Sequence, residues 1–480
     1  MKLILNISII FAILVSSVWS CTIAVFAPDA TEYGRPMLWK NRDVPNYRQQ
    51  YIYVENGHSF IAITYQGMTE QVYGGANDIG FGVVNTDTYN NGPNLPDGLT
   101  DGQVMYLALS QCESVWDFTQ LLDSLLADST AGLRSTHCYG IMDRYGNVGM
   151  VESNCEGYVY FSANSSADKY LVRANFAISG DDSDRRGYDR YIRARALMDT
   201  LAPVSVEDIW SISADLVTDE LDPNPLPFEG TFDGLPYGYI STTNTINRFM
   251  TTSYQIILGQ NFDDGSAYPI VWCGFNQPYF TIPVPMWVHS GTVHESITGS
   301  GNYFCTESRF IWEQVYDRDY INWFDTYSAS MINEFLNTAR ISVWDMFDKY
   351  VEQWEKETDE SVEVLRDIQD GFAVIVAAEY EQLHGLLVRE NNLQQPTELR
   401  LDAYPKPFNS HVKLTIRLPA TVSGQLEIYD INGRDIFEET VNFGDSEIYW
   451  EPESHLPSGT YLAIFRTPEK KVSKKLILLR

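Results

Sequence analysis

The chain has 480 residues, 44% hydrophobic and 20% charged, with 30 Tyr and 11 Trp, which gives it length for more than one domain and apolar mass for large cores. Its formal net charge of -31 repels phosphate backbones and anionic lipid, so nucleic acid and acidic membrane surfaces are excluded as partners.

Residues 1–20 read as a signal peptide. Lys2 supplies a short positive region, and Leu3 to Val15 is an apolar stretch too short to span a bilayer. Val18 and Ser20 are small residues suited to the third-last and last positions before a cut. No later run has the length and apolarity of a membrane helix, so a soluble, exported mature chain beginning at Cys21 is expected. A cysteine at that position has three readings by position alone: a lipid attachment site, a structural thiol, or a nucleophile. Trp19 disfavours the first, because lipoprotein processing wants a small residue there. In the third reading the thiol attacks and the free α-amine, with an ordinary pKa of about 7.7–8.0, takes its proton. No histidine base is then needed.

The six cysteines are Cys21, Cys112, Cys138, Cys155, Cys273 and Cys305. None has C-x-x-C spacing, and the seven His show no H-E-x-x-H, so neither a metal nor another cofactor is expected. Cys138 and Cys155 flank a hairpin turn near Tyr145-Gly146-Asn147 and are expected to pair as a disulfide.

From Cys21 to Cys305, short β-rich runs dominate: Tyr51–Val54, Phe60–Tyr65, Gly80–Asn85, Cys138–Asp143, Val148–Glu152 and Tyr254–Leu258. Helical patterns interrupt them at Ser114–Ala127, opened by a Ser114/Asp117 cap, and at Val206–Val217. Strands in number with a few helices indicate an α+β layered fold. Residues 306–393 change texture. Ile311, Val315, Ile321, Phe324, Met331, Phe335, Val343, Phe347 and Val351 recur at helical spacing, and a second run covers Val362–Leu387. At least three helices are expected there, packing on the preceding domain or forming their own bundle. Gln394–Pro396 reads as a hinge. Beyond it, alternation in His411–Leu418 and Gln425–Asp430 and turns at Asn432-Gly433 and Pro457-Ser458-Gly459 indicate about seven short strands, an immunoglobulin-like sandwich over 398–480.

Several segments in order carry a resemblance. They are Cys21-Thr22, Gly34-Arg35-Pro36, Lys40-Asn41-Arg42-Asp43, the run Gly75–Asn85, Val172–Phe176, Thr245–Arg248 and Pro283–Trp287. Together they resemble the N-terminal-nucleophile (Ntn) cysteine amidohydrolases of the choloylglycine hydrolase and isopenicillin-N acyltransferase type, across about residues 21–290. The resemblance implies an αββα sandwich of two stacked antiparallel sheets, catalytic over 21–305, with Cys21 on the first strand. It implies that Asp43 holds the Cys21 α-amine, that Asn175 and Asn85 donate to the oxyanion, and that Arg248 balances charge near the thiolate. Lys40 stands where relatives carry Arg, and Arg42 lies between the Asn and the Asp. Both are candidate substrate-binding or charge-balancing groups, and Lys cannot make the two-pronged contact of Arg.

Tyr404–Asn409, Ile428–Arg434, Leu456–Tyr461 and the Lys-rich Lys470–Leu479 resemble the C-terminal sorting domain of type IX secretion in Gram-negative bacteria. That implies a secretion-machinery partner and an extracellular or cell-surface location. The leading functional expectation is hydrolysis of a linear amide C–N bond of a small acylated amide or peptide-like substrate through a Cys21 thioester. An acyltransferase, a dipeptidase and a non-enzymatic surface binding protein on the same scaffold remain alternatives.

Overall fold

The computed structural model describes residues 20–93, 98–128, 132–133, 136–201, 203–260, 268–317, 322–354, 361–394, 400–417, 424–441, 446–467 and 470–480. The expected signal peptide up to residue 19, Ile321, and Gln395 and Pro396 of the expected hinge lie outside these residues. The chain divides into two compact units, Met1–Glu381 and Gln382–Arg480.

The first unit opens with β1 (Ser20–Phe26), β2 (Met37–Asp43), β3 (Gln49–Asn56), β4 (His58–Tyr65), β5 (Gly75–Asn77) and β6 (Gly82–Asp87). Helices α1 (Asp101–Gln111) and α2 (Val115–Ala127) follow, then β7 (His137–Met142), β8 (Val148–Ser153), β9 (Tyr158–Ser162) and β10 (Tyr170–Arg173). After α3 (Tyr188–Met198) and α4 (Val206–Ser213) come β11 (Tyr239–Ser241), β12 (Thr251–Leu258), β13 (Ile270–Phe275) and β14 (Val284–Trp287). The unit continues through α5 (Tyr303–Val315), β15 (Trp323–Asp325), α6 (Thr326–Lys349) and most of α7 (Val362–Gln394).

Two antiparallel sheets organise these elements. One has the order β10-β1-β2-β12-β13-β14, and the other runs β3 to β9 in sequence. Strands β1 and β2 lie against β6 and β7. The approach is close enough that a Cβ on Gly140 of β7 would sit 2.7 Å from Val25 Cγ1 and 3.0 Å from Val84 Cγ2, so the bare backbone sets the spacing between the sheets there. Helix α1 packs on β4 to β6, and α4 packs on β2 and β12. Because both faces of β1 and β2 are covered, every residue of the two strands is buried.

The expected strands are present, most of them longer than expected, but β6 starts at Gly82 rather than Gly80 and β7 ends at Met142 rather than Asp143; Ser114 caps α2 by accepting from the Asp117 amide. The alternation of cross-strand partners in β7 and β8 sets Cys138 opposite Glu152, and Cys155 falls in the turn beyond Ser153. All six cysteines are free, so the expected Cys138–Cys155 disulfide is not formed. The helical region packs on the first sheet: Trp272 of β13 lies 5.0 Å from the Trp344 ring and 4.7 Å from the Phe347 ring of α6. Phe324, spaced as if helical, instead belongs to β15, which pairs with β11. No described helix is long and apolar enough to cross a membrane.

In the second unit, β16 (Arg400–Tyr404), β17 (Val412–Arg417), β18 (Gly424–Asp430), β19 (Asp435–Val441), β20 (Ser446–Trp450), β21 (Gly459–Arg466) and β22 (Lys471–Leu478) form two antiparallel sheets. Their orders are β16-β17-β20 and β19-β18-β21-β22. Leu414, Ile428, Ala463, Phe465, Leu476 and Leu478 belong to the core they share.

Candidate active site

The site is built on the register of β1 and β2. Cys21 lies opposite Arg42, Ile23 opposite Lys40, and Ser20 opposite Asp43. Because side chains alternate along a strand, Cys21, Lys40 and Arg42 share the face toward the second sheet, and Asn41 and Asp43 share the other. Consecutive residues Lys40, Asn41, Arg42 and Asp43 are all buried. Burying so many polar groups in a central strand is costly unless each finds a partner.

On the outer face, Asn41 donates to the carbonyls of Ser213 at 2.9 Å and Ile246 at 3.1 Å. The Asp43 carboxylate accepts from Thr251 Oγ1 at 2.8 Å and Arg248 Nη1 at 3.4 Å, with Arg190 Nη1 at 3.9 Å. Burial pushes the Asp43 carboxyl up, and Arg248 and Arg190 oppose that rise. The expected role for Asp43 beside the Cys21 amine meets a different partner in the uncut chain. There the Cys21 backbone N–H donates to Asn175 Oδ1 at 3.2 Å. Asn175 Oδ1 also accepts from Ser20 Oγ at 2.7 Å and Arg190 Nη2 at 2.6 Å, while its Nδ2 donates to Thr86 Oγ1 and the Asp87 carbonyl.

On the inner face, the Cys21 thiol is buried. Burial pushes its pKa up, Lys40 pulls it down, and a hydrogen bond from the Asp43 backbone also favours the thiolate. Lys40 Nζ donates to the Tyr73 carbonyl at 2.8 Å and to Asn85 Oδ1. Burial lowers the Lys40 ammonium to about 8, against a partial opposing pull from Cys21. Asn85 Nδ2 passes the chain on to Asp101 Oδ2 at 2.8 Å. Thus Asn85, expected as an oxyanion donor, bridges Lys40 to Asp101 in this arrangement.

Sequence reasoning missed two parts of the site. Arg190, on α3, donates to the Cys21 carbonyl at 2.8 Å, Thr22 Oγ1 at 2.5 Å and Ser20 Oγ at 2.6 Å as well as to Asn175. Burial lowers its pKa to about 10. Asp87, Asp101 and His137 form the second part, each offering a ligand atom within 4.8 Å of the others. His137 Nδ1 is 3.0 Å from Asp87 Oδ1. Burial pulls the His137 pKa down, but Asp101 and Asp87 prevail and raise it. These residues balance charge among themselves and with Lys40. A pocket of about 340 Å³ beside Ser20 is lined by Arg185, Arg186, Arg190 and Arg248, among others.

Residues 402–479 match the protein-family model described as "Secretion system C-terminal sorting domain". No curated protein matches the sequence. Among solved structures the chain is similar to a mutant conjugated bile acid hydrolase from Clostridium perfringens, at 12% identity and a TM-score of 0.36, covering 59% of this chain and 99% of that one. It is also similar to penicillin V acylase from Agrobacterium tumefaciens, at 13% identity and a TM-score of 0.34, covering 56% of this chain and 85% of that one. At those TM-scores the likeness carries no weight.

Proposed function

We propose that the chain is an exported Ntn-type amidohydrolase whose αββα catalytic region, over 21–305, is extended by the helices of 306–393 and followed by a sorting sandwich over 398–480. Export and a surface or extracellular location follow from the sorting-domain match. The observation that carries the enzymatic reading is the environment of Cys21. Its thiol faces Lys40, and the nitrogen that becomes an α-amine on signal removal is already held by Asn175. Asp43, Arg248 and Arg190 brace the same strand pair.

The reaction then runs in two halves. The Cys21 α-amine takes the thiol proton, and the sulfur attacks the amide carbon. The C–N bond breaks, and the departing amine carries that proton away. Water then cleaves the thioester, releasing a carboxylic acid and restoring the thiol. The charge on Lys40 favours the thiolate against the burial that opposes it. No metal enters this scheme.

The test is intact-mass analysis of secreted protein, then a screen of acyl-amides and dipeptides. The expected result is a mature chain starting at Cys21, amide hydrolysis, and no turnover in folded, correctly processed Cys21→Ala. Wild-type rates in that variant, or a diacylglycerol adduct on Cys21, sink the reading.

A further inference from the structure

The cavity of about 340 Å³ beside Ser20 has no part in the scheme above. Arg185, Arg186, Arg190 and Arg248 all line it, in a chain whose net charge is -31. Their bonding differs. Arg186 is paired with Asp184, Nη2 to Oδ2 at 2.7 Å. Arg248 gives Nε to the Thr243 carbonyl at 2.7 Å and Nη1 to Asp43 at 3.4 Å. The exposed Arg185 side chain has no hydrogen bond or ion pair among the described residues. Its guanidinium carbon lies 4.9 Å from the Phe176 ring centroid and 4.7 Å from that of Tyr188. Rings attract the cation through its faces and leave its edge N–H groups for acceptors.

Arg190, 3% exposed, is fully bonded only while Ser20 is present. Its Nη2 donates to Ser20 Oγ at 2.6 Å and to Asn175 Oδ1 at 2.6 Å. The cut proposed ahead of Cys21 takes Ser20 and its hydroxyl away. A buried guanidinium then has a donor at the cavity wall without an acceptor, which is costly until one arrives. The same cut places a new α-amine where Ser20 was joined. Four guanidinium groups and that amine, when protonated, meet three carboxylates, Asp43, Asp184 and Asp189, so positive charge is in excess.

We infer that the mature protein binds a phosphate dianion in this cavity, held by Arg185, Arg190 and Arg248, and that the bound anion slows the enzyme by keeping the Cys21 α-amine protonated. The binding rests on the cut ahead of Cys21, and the effect on rate rests on the amidohydrolase reading. A tetrahedral oxyanion suits these donors better than a planar group does. Arg190 comes from α3, Arg185 from the turn before it and Arg248 from the segment ahead of β12, and oxygens on several sides can meet them all. A double charge also matches the excess. A protonated amine cannot take the thiol proton, so an occupied cavity withholds the base while leaving the sulfur untouched. The amine also lies among Lys40, Arg42 and Asp43 of β2, Asp87 of β6, Tyr89, Arg190 and Arg248. Those groups are the same with and without phosphate, so a change on adding it reports the anion.

Mature protein, its start at Cys21 confirmed by mass, is titrated calorimetrically with orthophosphate at constant ionic strength and about pH 7.5, where phosphate is largely doubly charged. Orthophosphate is expected to bind with a Kd below about 1 mM, from two or three charge-assisted hydrogen bonds. Chloride does not bind. Arg185→Gln weakens phosphate binding about 10-fold and leaves phosphate-free turnover unchanged. Glycerol 3-phosphate separates the sources: tighter binding than orthophosphate marks a phosphate monoester as the ligand, weaker binding marks free phosphate, and either upholds the site. No binding, equal binding by Arg185→Gln, or the same heat from chloride overturns it. With a cleaved amide in hand, phosphate is expected to move the acid limb of kcat/KM to higher pH by roughly half a unit or more, and Arg185→Gln cancels the shift. A limb that stays in place while phosphate binds overturns the control of rate. If no amide turns over, the hydrolase reading falls and calorimetry still decides the site.

Discussion

Strand β2 and the strands of the C-terminal unit are built by opposite rules. In β21 and β22 the buried positions are Tyr461, Ala463, Phe465, Leu476 and Leu478, while Lys471, Lys475 and Arg466 stay exposed. Charges there meet in solvent, as Lys474 does with Asp402. In β2, Lys40 to Asp43 are all inside. The tail strands would fold as well with many other surface residues. Strand β2 holds together only because Arg190, Arg248, Thr251, Tyr73 and Asn85 each come from distant parts of the chain to meet it. That burial of polar groups in a central strand is what the proposed chemistry at Cys21 draws on.

Four substitutions probe that contrast. The largest effect is expected from Arg190→Met, which takes the donor away from four oxygens around Cys21 and removes one of the cations beside Asp43. It should cost about 3–5 kcal/mol in urea denaturation, as removal of one partner from a buried charged network does. A loss under about 1 kcal/mol would mean that the network is not braced as described. In the tail, Leu414→Ala should cost about 2–5 kcal/mol through a cavity. Calorimetry should place that loss in the tail's own transition, with amide hydrolysis unaltered. Next is the pH response of Lys40. Its pKa falls from 10.5 unfolded to about 8 folded, so between those values the unfolded chain binds the extra proton. The stability contribution of Lys40 is therefore lowest below about 8 and rises as pH climbs from there to 10.5. Lys40→Met should erase that rise, read as the difference in urea midpoint between variant and wild type across the window. The smallest effect is expected from Lys474→Ala, less than about 1 kcal/mol, since an exposed ion pair is screened.

Much of the framework was legible from residue pattern. Val, Ile, Tyr and Phe in short alternating runs mark β3, β4, β7, β8 and β12, and Ser114 marks the start of α2. Helix α1 was missed although Thr100 and Gln103 form a capping box at its start, a local signal open to reading. Helix α3 offers no such signal: it begins at Gly187, at φ 77°, with no side-chain cap. That explains why Arg190 went unnoticed. It is one of several arginines between Arg185 and Arg195, and only the fold distinguishes the one that turns inward. The run from Lys40 to Asp43 was visible because it is contiguous. Asp87, Asp101 and His137 are far apart in the chain and meet only through the pairing of Asp87 with His137 across β6 and β7 and the placement of the α1 N-terminus.

Ser20 belongs to β1, in register with Asp43, and Arg190 and Asn175 both hold its hydroxyl. The strand is thus complete across the bond that maturation is proposed to cut. A preparation that keeps a single residue ahead of Cys21 will therefore look faultless. It will melt, fluoresce and elute as the finished protein does, with an amide nitrogen lying where a basic amine is required. Shape and competence are separated by one peptide bond, and only a measurement that resolves one residue of mass can tell a silent batch from a working one.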